Sequence, residues 1–374
     1  MSQCSVFPVP NGPDISHDAL FDLASYDYPL DESRIAQTPA EPRDSARLMV
    51  WNVSNGTAEH KYFRDITNFL RKGDLLVLND TRVLPARLLG SRPGGGKAEI
   101  FLLTSVTQDF NEWRALVRPG RKLRAGTSVR VGDKEILIKE EEPDGARLVM
   151  LGAENREEAL AFLNSFGHVP LPPYIHGEAD KWREEYQTVF ARRDGSVAAP
   201  TASLHFTPDL LSRIETIGVK TAWVTLHVGL GTFRPVKAAD IREHDIHDEP
   251  CEVPEETAEA VRECHARGGR VIASGTTVVR TLESLASDDG QKSGVMDTRL
   301  FIYPGFKFKT VDALITNFHL PKSSLLMLVA ALAAQLGGWK GKEEKALSAL
   351  LALYEKAASE NYRFFSFGDA MFIQ

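Results

Sequence analysis

Cysteine is scarce: three in 374 residues, Cys4, Cys251 and Cys264, widely spaced and with no Cys-x-x-Cys pair. That excludes a disulfide scaffold and a cysteine zinc cage, and it fits a reducing compartment. Long apolar runs are missing too. The longest, Leu325 to Ala334, is too short to cross a bilayer and reads as a buried helix. The start, Met1 to Asp14, has neither a basic leader nor a continuous apolar segment, so it is expected to be a loose arm and not a signal peptide. A cytoplasmic protein with no membrane partner is expected. Excess positive charge is absent: the net charge is −7 and the pI about 5.9, so any nucleic-acid surface must be local. No Gly-x-Gly-x-x-Gly loop follows a predicted strand, which argues against a Rossmann dinucleotide site.

What is present is a globular composition, 43% hydrophobic and 25% charged, long enough for one large domain and a smaller one. From Asp74 to Leu151 short β-like runs alternate with Gly and Pro: 75–78, 98–103, 113–117, 128–131, 135–138 and 147–150. This spacing predicts a small antiparallel barrel or sandwich. Downstream, helices alternate with strands, the pattern of an α/β domain with a largely parallel sheet. Thr207 is expected to cap a helix with Pro208 in its first turn and Gly218 beyond its end, followed by a strand from Lys220 to His227. A helix Glu255 to Arg267, a strand Arg270 to Ala273, a helix opening at Thr276, a strand Leu300 to Tyr303 and helices Ser323 to Leu336 and Lys342 to Ala358 complete the reading. The division is thus 1–73 for an arm and the first part of the larger domain, 74–152 for an inserted β-barrel, and 153–374 for the rest.

Charge is uneven. Arg82 to Lys134 holds eleven basic and four acidic residues, a local +7. The β unit therefore faces a polyanion or simply presents a solvated charged surface; a turn carrying Arg118, Arg121, Lys122 and Arg124 is suited to fan across phosphates.

Histidines cluster: His205, His227, His244 and His247 fall in one stretch and His319 follows in another loop. His227 is expected at a strand's carboxyl end, where α/β folds assemble sites. The spacing of His244, His247 and Glu249 does not match a helical zinc motif, so no metal is expected. In Ala273-Ser274-Gly275-Thr276-Thr277 a strand turns through Gly into a helix start, which either seats an anion or is plain N-capping. Asn79-Asp80-Thr81-Arg82 and Arg87 form a polar loop after an apolar strand. The aromatic tail Tyr362 to Met371 reads as a core anchor, with Asp369 isolated among apolar residues.

Taken together and in order, several blocks resemble the S-adenosylmethionine:tRNA ribosyltransferase-isomerase family: 79–82, 167–175, 199–206, 226–233, 275–277, 303–305, 317–321 and 367–371. The similarity runs from about Phe21 to the C-terminus, with departures at Ser203, Leu230 and Asp248. The resemblance implies an α/β barrel-like catalytic domain with an inserted small antiparallel β-barrel. It also implies ribosyl transfer from S-adenosylmethionine, a consumed substrate and not a cofactor, to the 7-aminomethyl-7-deazaguanine wobble base of tRNA. Isomerisation gives epoxyqueuosine-tRNA, with adenine and methionine released.

A sulfonium acidifies the adjacent ribose C–H, so a neutral histidine suits the base. His227 or His205 is expected to supply it, with Asp369 or Glu249 orienting adenine or the protonated histidine. Substrate contacts are expected from Asn79, Asp80, Thr81, Arg82, Arg87, Gly229, Gly231, Thr232, Gly275, Thr276, Thr277, Arg280, Asn317 and His319, and tRNA phosphate contacts from Arg118, Arg121, Lys122 and Arg124. A monomer is expected. The competing readings are a metal-dependent hydrolase using the histidine cluster and a non-catalytic RNA-binding module.

Overall fold

The strand Leu75–Asn79 sends Leu75 and Val77 into one apolar cluster and Leu76 and Leu78 into another. A strand buried on both faces reads as a continuous apolar run, and this is where such a strand belongs, at the centre of a covered sheet. In the computed structural model, which describes residues 6–172, 174–176, 182–229 and 236–374, it is a central strand of a ten-stranded sheet. It is not one of the barrel strands among which the sequence reading placed it.

That sheet runs, edge to edge, Val6–Pro8, Thr57–Tyr62, Arg47–Asn52, Ala370–Ile373, Ala313–Asn317, Val271–Ser274, Leu75–Asn79, Lys220–Leu226, Glu249–Val253 and Gly294–Thr298. The four strands from Ala313–Asn317 to Lys220–Leu226 are mutually parallel, so their carboxyl ends emerge on one side. Outside them most pairings are antiparallel, which makes the sheet mixed and not largely parallel. Helices Glu255–Ala266, Thr276–Ser284, Ser324–Leu336 and Glu344–Ser359 contribute to the core on one face; Pro208–Thr216 and the turn Phe63–Asn68 contribute to the other.

Local signals acted as read at the helix starts. The Thr207 hydroxyl accepts from the Leu210 amide at 3.2 Å and the Ser323 hydroxyl from the Leu326 amide at 3.3 Å. Leu300 to Tyr303 is not a strand. The Leu300 carbonyl accepts from Arg280 Nε at 2.9 Å and its amide donates to the Thr298 hydroxyl at 3.2 Å, so side chains take the groups a ladder would have used. Among the described residues no helix is long and apolar enough to cross a membrane.

The inserted unit is a closed antiparallel barrel of six strands: Arg87–Ser91, Lys97–Ser105, Glu112–Arg118, Arg147–Met150, Lys134–Glu141 and Ser128–Val131. Closure occurs where Ser91 pairs with Arg130. It requires glycine beside it: a Cβ on Gly90 would stand 2.3 Å from the Arg130 carbonyl. Alternate residues such as Ile100, Leu102, Trp113, Ile136 and Ile138 fill the interior, and the helix Arg156–Phe166 adds Phe162 and Leu163 to the same core.

Candidate active site

The parallel strands deliver Asn79, His227, Gly275 and Asn317 to the same end of the sheet, the end at which open α/β sheets assemble ligand sites. A cavity of about 280 Å³ opens there. Its lining includes the segment 198–202, Val228, the turn Gly275–Thr277, Asn317 and His319, with Tyr174 and Phe365. Gly275 has φ +97°, and its amide donates to the Ile315 carbonyl at 2.8 Å. This conformation needs glycine and aims the first turn of the helix Thr276–Ser284 at the cavity, where orphan amides and the helix dipole favour an anion.

A chain of hydrogen bonds ties this turn to His227. Asn79 Nδ2 donates to Thr277 Oγ1 at 3.2 Å, Asn79 Oδ1 accepts from the Thr81 amide at 3.1 Å, and Thr81 Oγ1 lies 2.7 Å from His227 Nδ1. Burial pushes the His227 pKa down to about 4, opposed by Asp80 and reinforced by Arg156 and Arg193. Asp80 itself is buried, accepting from Arg192 Nε at 2.7 Å and from the Thr225 hydroxyl at 2.6 Å.

His205 sits deeper, its ring 4.9 Å from that of Phe63. Its Nε2 and the Asn317 Oδ1 are both buried without a bond of good geometry. Desolvation brings its pKa down to about 4, aided by Arg363, while the Asn317 amide opposes the shift. Neither His205 nor His227 lines the cavity; His319 does.

Both expected carboxylates are already engaged. Asp369 accepts from the Arg47 amide at 2.9 Å and the Arg363 amide at 2.8 Å, pinning the C-terminal segment to the strand Arg47–Asn52. It does not line the cavity, and its isolation among apolar residues reflects this clamp. Glu249 accepts from the Gly229 amide at 3.0 Å and forms a buried ion pair with Arg280. The pair borders a smaller recess on the other side of Thr276 and Thr277, with His244 and His247. With a guanidinium on one Glu249 oxygen and an amide on the other, His244, His247 and Glu249 are poorly arranged for a cation. Among the described residues the group with ligand atoms within 4.8 Å of one another is His17, Glu343 and Glu344, none of which lines the cavity. Gly231 and Thr232 lie outside the described residues.

On the barrel, charge is partly neutralised: Arg87 pairs with Glu99 at 2.9 Å, Arg130 with Glu135 at 3.3 Å and Lys134 with Glu158 at 2.5 Å. Arg114 pairs with Glu142 and Asp144. Arg118, Arg121, Lys122 and Arg124 remain exposed on and around the turn Gly120–Lys122 and carry the unit's positive potential, as does exposed Arg82 on the strand Thr81–Val83. Sequence reasoning passed over Tyr174 and Phe365 as cavity walls and Arg192 as the partner of Asp80. Tyr174 falls in the segment 167–175, but an aromatic beside a Pro pair gives no signal that separates a wall from a core anchor.

Fold and cavity together define an α/β protein with a helix N-terminus and a cavity at its strand ends and an inserted barrel bearing a cationic turn. The chain belongs to the family described as queuosine biosynthesis protein, which it matches over residues 23–373. It is 49% identical over 352 residues to the S-adenosylmethionine:tRNA ribosyltransferase-isomerase of Thermosipho africanus, covering 94% of this chain and 99% of that one. To the enzyme of the same name from Thermosynechococcus vestitus it is 48% identical over 362 residues, covering 96% and 97%. The solved S-adenosylmethionine tRNA ribosyltransferase of Thermotoga maritima is similar at 37% identity with a TM-score of 0.53, covering 94% of this chain and 100% of that one.

Proposed function

We propose that this chain transfers and isomerises the ribosyl group of S-adenosylmethionine onto the 7-aminomethyl-7-deazaguanine wobble base of tRNA, giving epoxyqueuosine-tRNA, adenine and methionine. The observation that carries the reading is the cavity at the strand ends, where a helix N-terminus suited to the methionyl carboxylate shares one enclosed space with apolar and aromatic walls. S-adenosylmethionine enters as a consumed substrate, no resident cofactor is required, and the enzyme works as a cytoplasmic monomer.

Of the two histidines considered for the base, His227 fits better. It is half-buried, and Nδ1 faces the Thr81 hydroxyl, leaving Nε2 without a hydrogen-bond partner among the described residues. If Nδ1–H donates to Thr81, Nε2 carries the lone pair that a base needs. Since His227 itself does not line the cavity, taking the proton next to the sulfonium requires the bound ribose to reach past its lining neighbour Val228. His205 is enclosed against Phe63 and Asn317 and serves as a support for the cavity wall. The exposed cations around Gly120–Lys122 meet the tRNA backbone.

The test is incubation with precursor-modified tRNA and S-adenosylmethionine, followed by mass analysis of the anticodon nucleoside and measurement of released adenine. Conversion of the base with equimolar adenine is expected. Bound tRNA with no adenine release would leave an RNA-binding protein and overturn the reading.

A further inference from the structure

The cavity has two walls of different chemistry. One is the Gly275 turn, suited to a carboxylate. The other is aromatic: the rings of Tyr174 and Phe365 lie 4.6 Å apart between centroids, tilted by 36°. Phe365 has φ +71°, a left-handed conformation costly for an aromatic residue. It is held there by Asn317 Nδ2, which donates to its carbonyl at 2.8 Å, and by its own amide, which donates to the Phe318 carbonyl at 3.1 Å. Strain maintained in this way fixes a ring at the cavity edge where an unconstrained loop would not.

His319 belongs to the same wall and is only 8% exposed. Its backbone is clamped, the amide donating to the Tyr354 hydroxyl at 3.1 Å and the carbonyl accepting from the Tyr28 hydroxyl. Its Nε2 lies 2.8 Å from Thr316 Oγ1, while Nδ1 has no partner among the described residues. Burial alone brings its pKa down to about 3, so the imidazole is neutral at physiological pH. The wall therefore offers aromatic faces and one fixed, uncharged hydrogen-bonding position. That combination suits the face and edge of a flat heteroaromatic base and has little to offer a carboxylate.

We propose that Tyr174, Phe365 and His319 form the adenine subsite, with rings against the purine face and His319 Nδ1 on its edge, while the methionyl carboxylate occupies the Gly275 turn. The assignment rests on S-adenosylmethionine being the ribosyl donor. His319 would then hold the leaving group in register while the ribose is transferred, and would select a 6-aminopurine.

Calorimetry with two halves of the donor tests this: 5′-methylthioadenosine, which has the purine and no carboxylate, and methionine, which has the carboxylate and no purine. H319A is expected to weaken methylthioadenosine at least tenfold and leave methionine within twofold, and H319Q to recover part of the loss. Wild type should prefer methylthioadenosine over its 6-oxo counterpart, and H319A should flatten that ratio, a change that a merely structural role would not produce. Unchanged methylthioadenosine binding by H319A, or equal loss of both halves, would overturn the subsite. If wild type converts tRNA while H319A keeps the wild-type KM for S-adenosylmethionine, the subsite fails and the reaction stands. If purine binding depends on His319 but no adenine is released, the reaction reading fails and a purine site remains.

Discussion

Replacing Asn79 with alanine should be among the most damaging single changes in this chain. The side chain is fully buried and makes four hydrogen bonds: Oδ1 accepts from the Thr81 and Leu226 amides, each at 3.1 Å, and Nδ2 donates to the Leu226 carbonyl at 3.0 Å and to Thr277 Oγ1 at 3.2 Å. Alanine leaves those partners in the interior with no replacement. An unsatisfied buried polar group costs roughly 1–3 kcal/mol, and partial relaxation makes the sum smaller than four full penalties, so a loss of about 3–6 kcal/mol is expected. That is a large part of the roughly 5–15 kcal/mol that holds a typical domain folded. Urea unfolding followed by tryptophan fluorescence measures it. Under conditions where N79A is still folded, turnover should fall as well, because the substitution removes the link that runs from Thr277 through Thr81 to His227. A loss below about 1 kcal/mol, or normal turnover, would refute the idea that Asn79 couples the strand ends.

Acid should destabilise the fold before carboxylates titrate, because burial lowers the pKa of His205 and His227 to about 4 and of His319 to about 3. The folded state then binds fewer protons than the unfolded one below the ordinary value near 6.5; stability is unaffected above that pH and declines as pH falls toward 4, by about 1.4 kcal/mol per pH unit for each histidine. Unfolding free energies at pH 7 and pH 5 that coincide would contradict this. Joint replacement of Arg118, Arg121, Lys122 and Arg124 with alanine should weaken tRNA at least tenfold and shallow its salt dependence while leaving methylthioadenosine binding intact. Equal tRNA affinity in a filter-binding assay would remove that turn from the interface.

Much of the larger unit was readable because its signals are local. Thr207 and Ser323 cap helices through contacts three residues away, and Gly275 announces its turn by being the residue that tolerates φ +97°. Leu75 to Leu78 was legible as a strand, and its continuous apolar run, buried on both faces, differs from the alternating barrel strands; its place next to them in sequence is what assigned it to the wrong sheet. Leu300 to Tyr303 failed for a related reason. Its apolar pattern suits a strand, while the Arg280 side chain that takes its carbonyl comes from a separate helix. Among the site residues, the turn Gly275–Thr277, Asn317 and His319 meet in one cavity. Asp369 shows how a lone carboxylate among apolar residues can advertise chemistry and instead fasten backbone amides. Which histidine faces the cavity depended on strand order, which no local pattern carries.

The chain enters the barrel at Arg87 and leaves it beside the same strand, where Gly167 and His168 pair with Leu88 and Arg87. The two passages touch so closely that a Cβ on Gly167 would stand 2.0 Å from the Pro85 carbonyl. Excising the whole insert would therefore leave two ends that a short turn could rejoin, with the order of strands in the host sheet untouched. Grafting runs equally well in the other direction: another compact domain could be set at this junction without rethreading the host sheet.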